Sequence, residues 1–201
     1  MKNLPVYKIL SLAMMAFIFV SCKEEKLKLF TKLPSDKTGI NFRNELREDD
    51  PHFNILTYPY FYNGAGVAVG DINNDGLPDV CFTGNMVKNR LYINKGNLKF
   101  DDITETAGVA AKQGWCTGVT MVDLNNDGWQ DIYICRSGLN NAADRKNLLY
   151  INNHDLTFTD SAAAYGLDND GYTTQASFFD YDMDGDLDCF IINNSPVPVS
   201  S

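Results

Sequence analysis

Apolar residues along this chain come in short runs that stop at a polar turn and then resume. Three such runs, residues 66–70, 118–122 and 176–179, each end on an aspartate that opens a nine-residue polar stretch. Three more, residues 80–82, 132–135 and 189–192, begin as that stretch closes. Paired apolar runs on either side of a tight polar turn predict β-hairpins. A third strand is expected at residues 90–94 and 148–152, where Leu-Tyr-Ile-Asn is shared letter for letter, and a fourth at 98–103 and 156–159. Eight residues separate Tyr92 from Phe100 and also Tyr150 from Phe158, so the third and fourth strands keep one register in both copies. The runs are apolar almost without alternation, which requires cover on both faces of each sheet.

The unit therefore has four short strands and recurs, with 52 residues between the first two turns and 57 between the second and third. Most of the difference lies in the connection at residues 136–146. Such periods in an all-β chain point to β-propeller blades of four antiparallel strands. The expected layout is blade 1 at 63–114, blade 2 at 115–171 and a half blade at 172–201. Two full blades and a half fall short of the roughly four to eight that close a propeller. The sequence thus reads as an incomplete propeller, either a partial copy of a longer one or an open stack closed by oligomerisation. Residues 22–62 form a tether with short strands expected at 29–33 and 40–44. Phe30, Gly39 and Ile40 echo Phe100, Gly108 and Val109, as if a last strand lacked its predecessors. The aromatic group Tyr58, Tyr60, Phe61 and Tyr62 suits packing at a repeat junction, with a ligand platform as the alternative.

The polar turns carry the candidate chemistry. They read DINNDGLPD from Asp71, DLNNDGWQD from Asp123 and DYDMDGDLD from Asp180. Side-chain oxygens fall at positions 1, 3 and 5: Asp71, Asn73 and Asp75; Asp123, Asn125 and Asp127; Asp180, Asp182 and Asp184. Position 6 is glycine in each, which permits a turn that a side chain would hinder. Position 7 (Leu77, Trp129, Asp186) would add a backbone carbonyl, and position 9 (Asp79, Asp131, Asp188) would close the shell. Hard cations that take six to eight oxygens suit such a set, so up to three Ca²⁺ ions are expected. An EF-hand would need glutamate at position 12, where Phe82, Ile134 and Ile191 stand. Zinc is disfavoured because no histidine and cysteine cluster with ligand spacing is present. Trp129 could also offer its ring as a surface contact or pack against a neighbouring blade.

Charge sharpens this reading. The chain of 201 residues has a formal net charge of −9, yet the three turns hold three, three and five aspartates, so the remainder carries +2. Acidity this local argues against a solvating acidic chain, and the lack of a basic face argues against nucleic acid as partner. An apolar content of 44% allows a core. The four cysteines Cys81, Cys116, Cys135 and Cys189 permit three disulfide pairings, while the apolar runs around three of them favour buried thiols.

At the N-terminus Lys2 and Lys8 precede an apolar run at residues 9–20, shorter than the ~20 residues of a membrane-spanning helix, so residues 1–21 are expected to be a signal peptide. Its end, Phe19, Val20, Ser21 and Cys22, resembles the lipobox of bacterial lipoproteins, which implies lipidation of Cys22. Lys23, Glu24 and Glu25 resemble the tag that sends lipoproteins of Bacteroidota to the outer surface.

The strand, DxNxDGxxD turn and strand together resemble the FG-GAP, or VCBS-type, calcium repeats of integrin α-chain propellers. NRLYIN at residues 89–94, KFDDITETAGV at 99–109 and GVAVGDINNDGLPDV at 66–80 look more narrowly like surface lipoproteins of Bacteroidota that carry an ASPIC/UnbV module after the propeller. The resemblance spans residues 28–192 and implies a calcium-bearing propeller without established catalytic residues; no ASPIC/UnbV module is present in the sequence. The function expected is a non-catalytic binding or adhesion platform for a protein or glycan, lipid-anchored at the outer membrane or cell surface. The alternative is a fragment of a carbohydrate-active enzyme with a polysaccharide lyase-like propeller. The histidines, His52 in an acidic linker and His154 in a hairpin turn, are expected to be solvent-exposed.

Overall fold

The computed structural model describes residues 28–111, 114–138 and 141–195. The expected signal peptide and Cys22 with its following tag lie outside the described residues. The chain divides into two compact units between Leu33 and Pro34. Of the first, residues 28–33 are described: an exposed segment without strand.

The second unit is all-β apart from three one-turn helices among the described residues. Strands β1 (Val67–Gly70), β2 (Asp79–Phe82), β3 (Arg90–Asn94) and β4 (Phe100–Asp102) form one antiparallel sheet in chain order. Strands β5 (Trp115–Val122), β6 (Asp131–Ser137), β7 (Leu148–Asn152) and β8 (Phe158–Asp160) form a second sheet in the same order. Strands β9 (Thr173–Phe179) and β10 (Asp188–Asn193) pair alone. The result is two complete blades and the first half of a third.

Each blade meets the next through its first strand, β1 against β5 and β5 against β9. The hydroxyl of Thr117 donates to the Thr173 carbonyl at 2.7 Å and that of Thr120 to Ala176 at 3.0 Å, so side chains tie the first strands of blade 2 and the half blade together. Near-continuous apolar strands find cover on both faces, as alternate residues on β6 show. Ile132 and Ile134 join Ile72, Leu91, Ile93 and Val109 in a core between the complete blades. Tyr133 and Cys135 face the other way, toward Ala176 and the half-buried Phe178 and Ile191. All seven residues of β6 are buried.

Several boundaries differ from those expected. The second strands start at Asp79, Asp131 and Asp188, so position 9 of each turn is already in the ladder; Asp79 pairs with Gly70 and Asp131 with Val122. The fourth strands start later than expected because Leu98 and Leu156 turn with φ of 57° and 67°. Strand β5 begins at Trp115, ahead of residue 118, and a register shift between Cys116 and Val119 absorbs the extra residues. The strands expected at 29–33 and 40–44 do not form, and among the described residues no strand offers either a ladder. The likeness of Gly39 to Gly108 lies instead in a helical turn, Ser35–Thr38 in one case and Thr104–Ala107 in the other, each ended by glycine at φ 81° and 79°.

The aromatic group near residue 60 is mostly core. Tyr58, Phe61 and Trp115 are buried together, with Phe53 4.9 Å from the Trp115 ring, while Tyr62 stays exposed.

Candidate cation-binding loops

All three polar turns fold alike because the backbone amides of each turn bond its own side-chain oxygens. In the first loop the Asp71 carboxylate accepts from Gly76 N–H at 2.8 Å and Asp75 N–H at 3.2 Å. Asn73 Oδ1 accepts from Asp75 N–H at 3.2 Å and Asp75 Oδ1 from Leu77 N–H at 2.8 Å. The second loop repeats these bonds with Asp123, Asn125 and Asp127 accepting from Gly128, Asp127 and Trp129 at 2.8, 3.2 and 2.9 Å. In the third, Asp180, Asp182 and Asp184 accept from Gly185, Asp184 and Asp186 at 3.2, 3.3 and 3.1 Å. Position 7 therefore enters each loop through an N–H donor that orients position 5.

This winding needs left-handed backbone at two places. Position 6 is the expected glycine, with φ of 81°, 87° and 98° at Gly76, Gly128 and Gly185. Position 4 has the same requirement, with Asn74, Asn126 and Met183 at φ of 56°, 56° and 62°. The sequence carries a signal for position 4 in the asparagine shared by the first two loops, since asparagine tolerates this region better than most residues.

Position 9 behaves differently in complete and half blades. Asp79 is fully buried; it accepts from Ile72 N–H at 3.0 Å and Asn94 N–H at 2.8 Å. Asp131, equally buried, accepts from Leu124 N–H at 3.0 Å and Asn152 N–H at 2.9 Å. Burial pushes both carboxyls above the ordinary aspartate range, against the lowering by those backbone bonds, and the neighbouring loop aspartates add to the rise. A positive ion beside them would reverse that balance. Asp188 is exposed and accepts from Tyr181 N–H at 2.8 Å. The contrast traces to the third strand, whose last residue is Asn94 or Asn152. These two asparagines, noted in the sequence only as a shared strand end, also donate their side-chain amides to Pro78 O at 2.9 Å and Gln130 O at 3.1 Å.

Three carboxylates come closest in the third loop, where Asp180, Asp182 and Asp188 each place an oxygen within 4.8 Å of the others. In the first two loops asparagine replaces the acid at position 3. All donors are carboxylate or amide oxygens, which fit a hard cation such as Ca²⁺ and do not suit zinc.

Trp129 is partly buried. Its ring stacks on His154 of its own blade, 4.7 Å between centroids at 19°. His154 is exposed, as expected, and its Nε2 lies 3.0 Å from Asp127 Oδ2.

Comparison with known proteins agrees with this arrangement. Residues 71–134 match the FG-GAP-like repeat family, an interval that opens on Asp71 and contains the first two loops. Over 134 residues the chain is 31% identical to cartilage acidic protein 1 of Xenopus tropicalis, an alignment covering 66% of this chain and 20% of that protein. The chain thus spans about a fifth of the length of the curated relative it matches. Residues 71–134 are thus similar to an FG-GAP-like repeat, within an all-β, propeller-like fold.

Proposed function

We propose that this chain is a calcium-stabilised, non-catalytic binding platform of the propeller type, with one Ca²⁺ in each of its three loops. The observation that carries this reading is the repeated turning of oxygens at positions 1, 3 and 5 by backbone N–H groups, in loops of which two lie in the FG-GAP-like match. When bound, the ion would supply positive charge that relieves the repulsion among clustered carboxylates, about 4 kcal/mol for two of them ~4 Å apart at an effective dielectric of ~20, an upper guide. The residues do the rest: they fix the hairpin turn and thereby the edge of each blade. The partner is a protein or glycan, as is common for repeat surfaces of this kind. Attachment to the outer membrane or cell surface through a lipid on Cys22, as in the ASPIC/UnbV-type lipoproteins that the sequence resembles, completes the proposal. More than one acyl chain, at about 0.8 kcal/mol per buried methylene, holds such a protein stably.

Calcium titration of the purified chain with calorimetric unfolding tests the ion assignment. A melting temperature that rises with Ca²⁺ and falls back with chelator is expected; a melt indifferent to both defeats the structural role. Metabolic labelling with a tagged fatty acid, lost in Cys22→Ala, is the matching test of the anchor.

A further inference from the structure

The two complete blades share more than a hydrophobic core, because their loops are wired to one another by side-chain amides. Asn152 ends β7 and holds the second loop, with its N–H on Asp131 and its Nδ2 on the Gln130 carbonyl. The same Nδ2 reaches across the blade boundary to the Ile72 carbonyl at 2.8 Å. Ile72 is position 2 of the first loop, and its own N–H holds Asp79. A continuous path of hydrogen bonds therefore runs from one position-9 aspartate to the other: Asp131, Asn152, Ile72, Asp79. A second, exposed bridge joins the loops where Asn74 Nδ2 donates to the Gly128 carbonyl at 3.0 Å. Asn94, the counterpart of Asn152, bonds within its own loop and has no earlier loop to reach among the described residues.

We infer that Asn152 is a positioning residue that couples the first cation loop to the second, so that filling either raises the affinity of the other. The inference rests on the reading of these loops as Ca²⁺ sites. An ion drawing in Asp131 orders Asn152 through its backbone N–H, the side-chain amide of Asn152 then holds the Ile72 carbonyl, and the fixed Ile72 residue presents the N–H on which Asp79 depends. The ordering cost is met by the first ion, so the second binds to a site already fixed. Coupling of this kind is reciprocal, and a fivefold effect is about the least expected of it. The third loop stands outside the pair, since its Asp188 lacks the third-strand asparagine among the described residues.

Tb³⁺ serves as probe, because Trp129 at position 7 of the second loop sensitises the luminescence of an ion bound there, with Trp129→Leu as background. Disabling the first loop with Asp71→Asn should weaken Tb³⁺ binding at the second about fivefold or more. In an Asn152→Ala background the same change should produce almost no further shift. Exchange of the Ile72 amide in the Asp71→Asn protein needs no change at residue 152, and loading the second loop should slow it; this keeps the test decisive if Asn152→Ala fails to fold. Equal Tb³⁺ affinity with and without Asp71→Asn overturns the coupling while leaving the ion assignment standing. A shift that persists in full in Asn152→Ala, or Ile72 exchange indifferent to loading, removes Asn152 from the path. No sensitised luminescence at all brings down the ion assignment and the coupling together.

Discussion

Met183 holds the place in the third loop that Asn74 and Asn126 hold in the first two, and all three have left-handed backbone. An L-residue other than glycine, asparagine or aspartate loses roughly 1–2 kcal/mol there. Met183→Asn is therefore expected to stabilise the chain by about 1 kcal/mol, provided the half blade unfolds with the rest. Urea denaturation in saturating Ca²⁺ reads the gain, and an unchanged or lower midpoint refutes the strain argument. The cysteines give a second expectation at this scale. Burial pushes the thiols of Cys81 and Cys135 up to about 12 and that of Cys116 up to about 11, and raises that of the half-buried Cys189 as well. Thiolate is the reactive form, and it is scarce wherever the pKa lies far above ambient pH. In a Cys22→Ser chain at pH 8, a thiol reagent should reach Cys189 first and the other three only on unfolding. Rapid labelling of Cys116 in the native protein is the contrary result.

At the level of strands and blades, glycine sets how close neighbours can come. A Cβ on Gly66 would sit 2.7 Å from the Thr117 carbonyl and 2.8 Å from the Val119 nitrogen, both backbone atoms of the next blade. Neither atom can swing aside as a flexible side chain could. Gly66→Ala should therefore part β1 from β5 and destabilise by about 1–3 kcal/mol, the usual cost of overpacking. A melting temperature within error of the parent sequence counts against it. Much of this architecture was legible in the residues: β3 and β7 fall where the Leu-Tyr-Ile-Asn repeat puts them, because a buried strand advertises itself by an unbroken apolar run. What stayed hidden depends on partners distant in sequence. Local alternation at residues 29–33 says nothing about whether a ladder is available, and none is formed. Asp79 and Asp131 read as ligands that close the shell of a polar turn, yet β3 and β7 bury them, a consequence of blade assembly that the turn sequence does not encode.

Across the whole molecule stability should be graded, and the gradient should depend on calcium. Strand β6 is covered on both faces, whereas β10 has an open edge among the described residues and exposes Phe190 and Ile192. A two-stranded sheet is marginal by itself, and segments with few buried contacts open first. The third loop adds to the imbalance, for it holds five aspartates, three of which place oxygens within 4.8 Å of one another. Chelation leaves that charge uncompensated where no third strand among the described residues shields it. The first two loops keep asparagine at position 3 and a buried position-9 aspartate held by two backbone N–H groups, one of them from the third strand, so their hairpins have internal support without an ion. Hydrogen exchange followed with Ca²⁺ and then with chelator should show β9 and β10 exchanging before β6 and β7 in both states. Chelator should widen the gap by accelerating the half blade most. Uniform acceleration across all strands would mean that the ions act on the fold as one body, and an unchanged pattern would mean that they do not support the third hairpin at all.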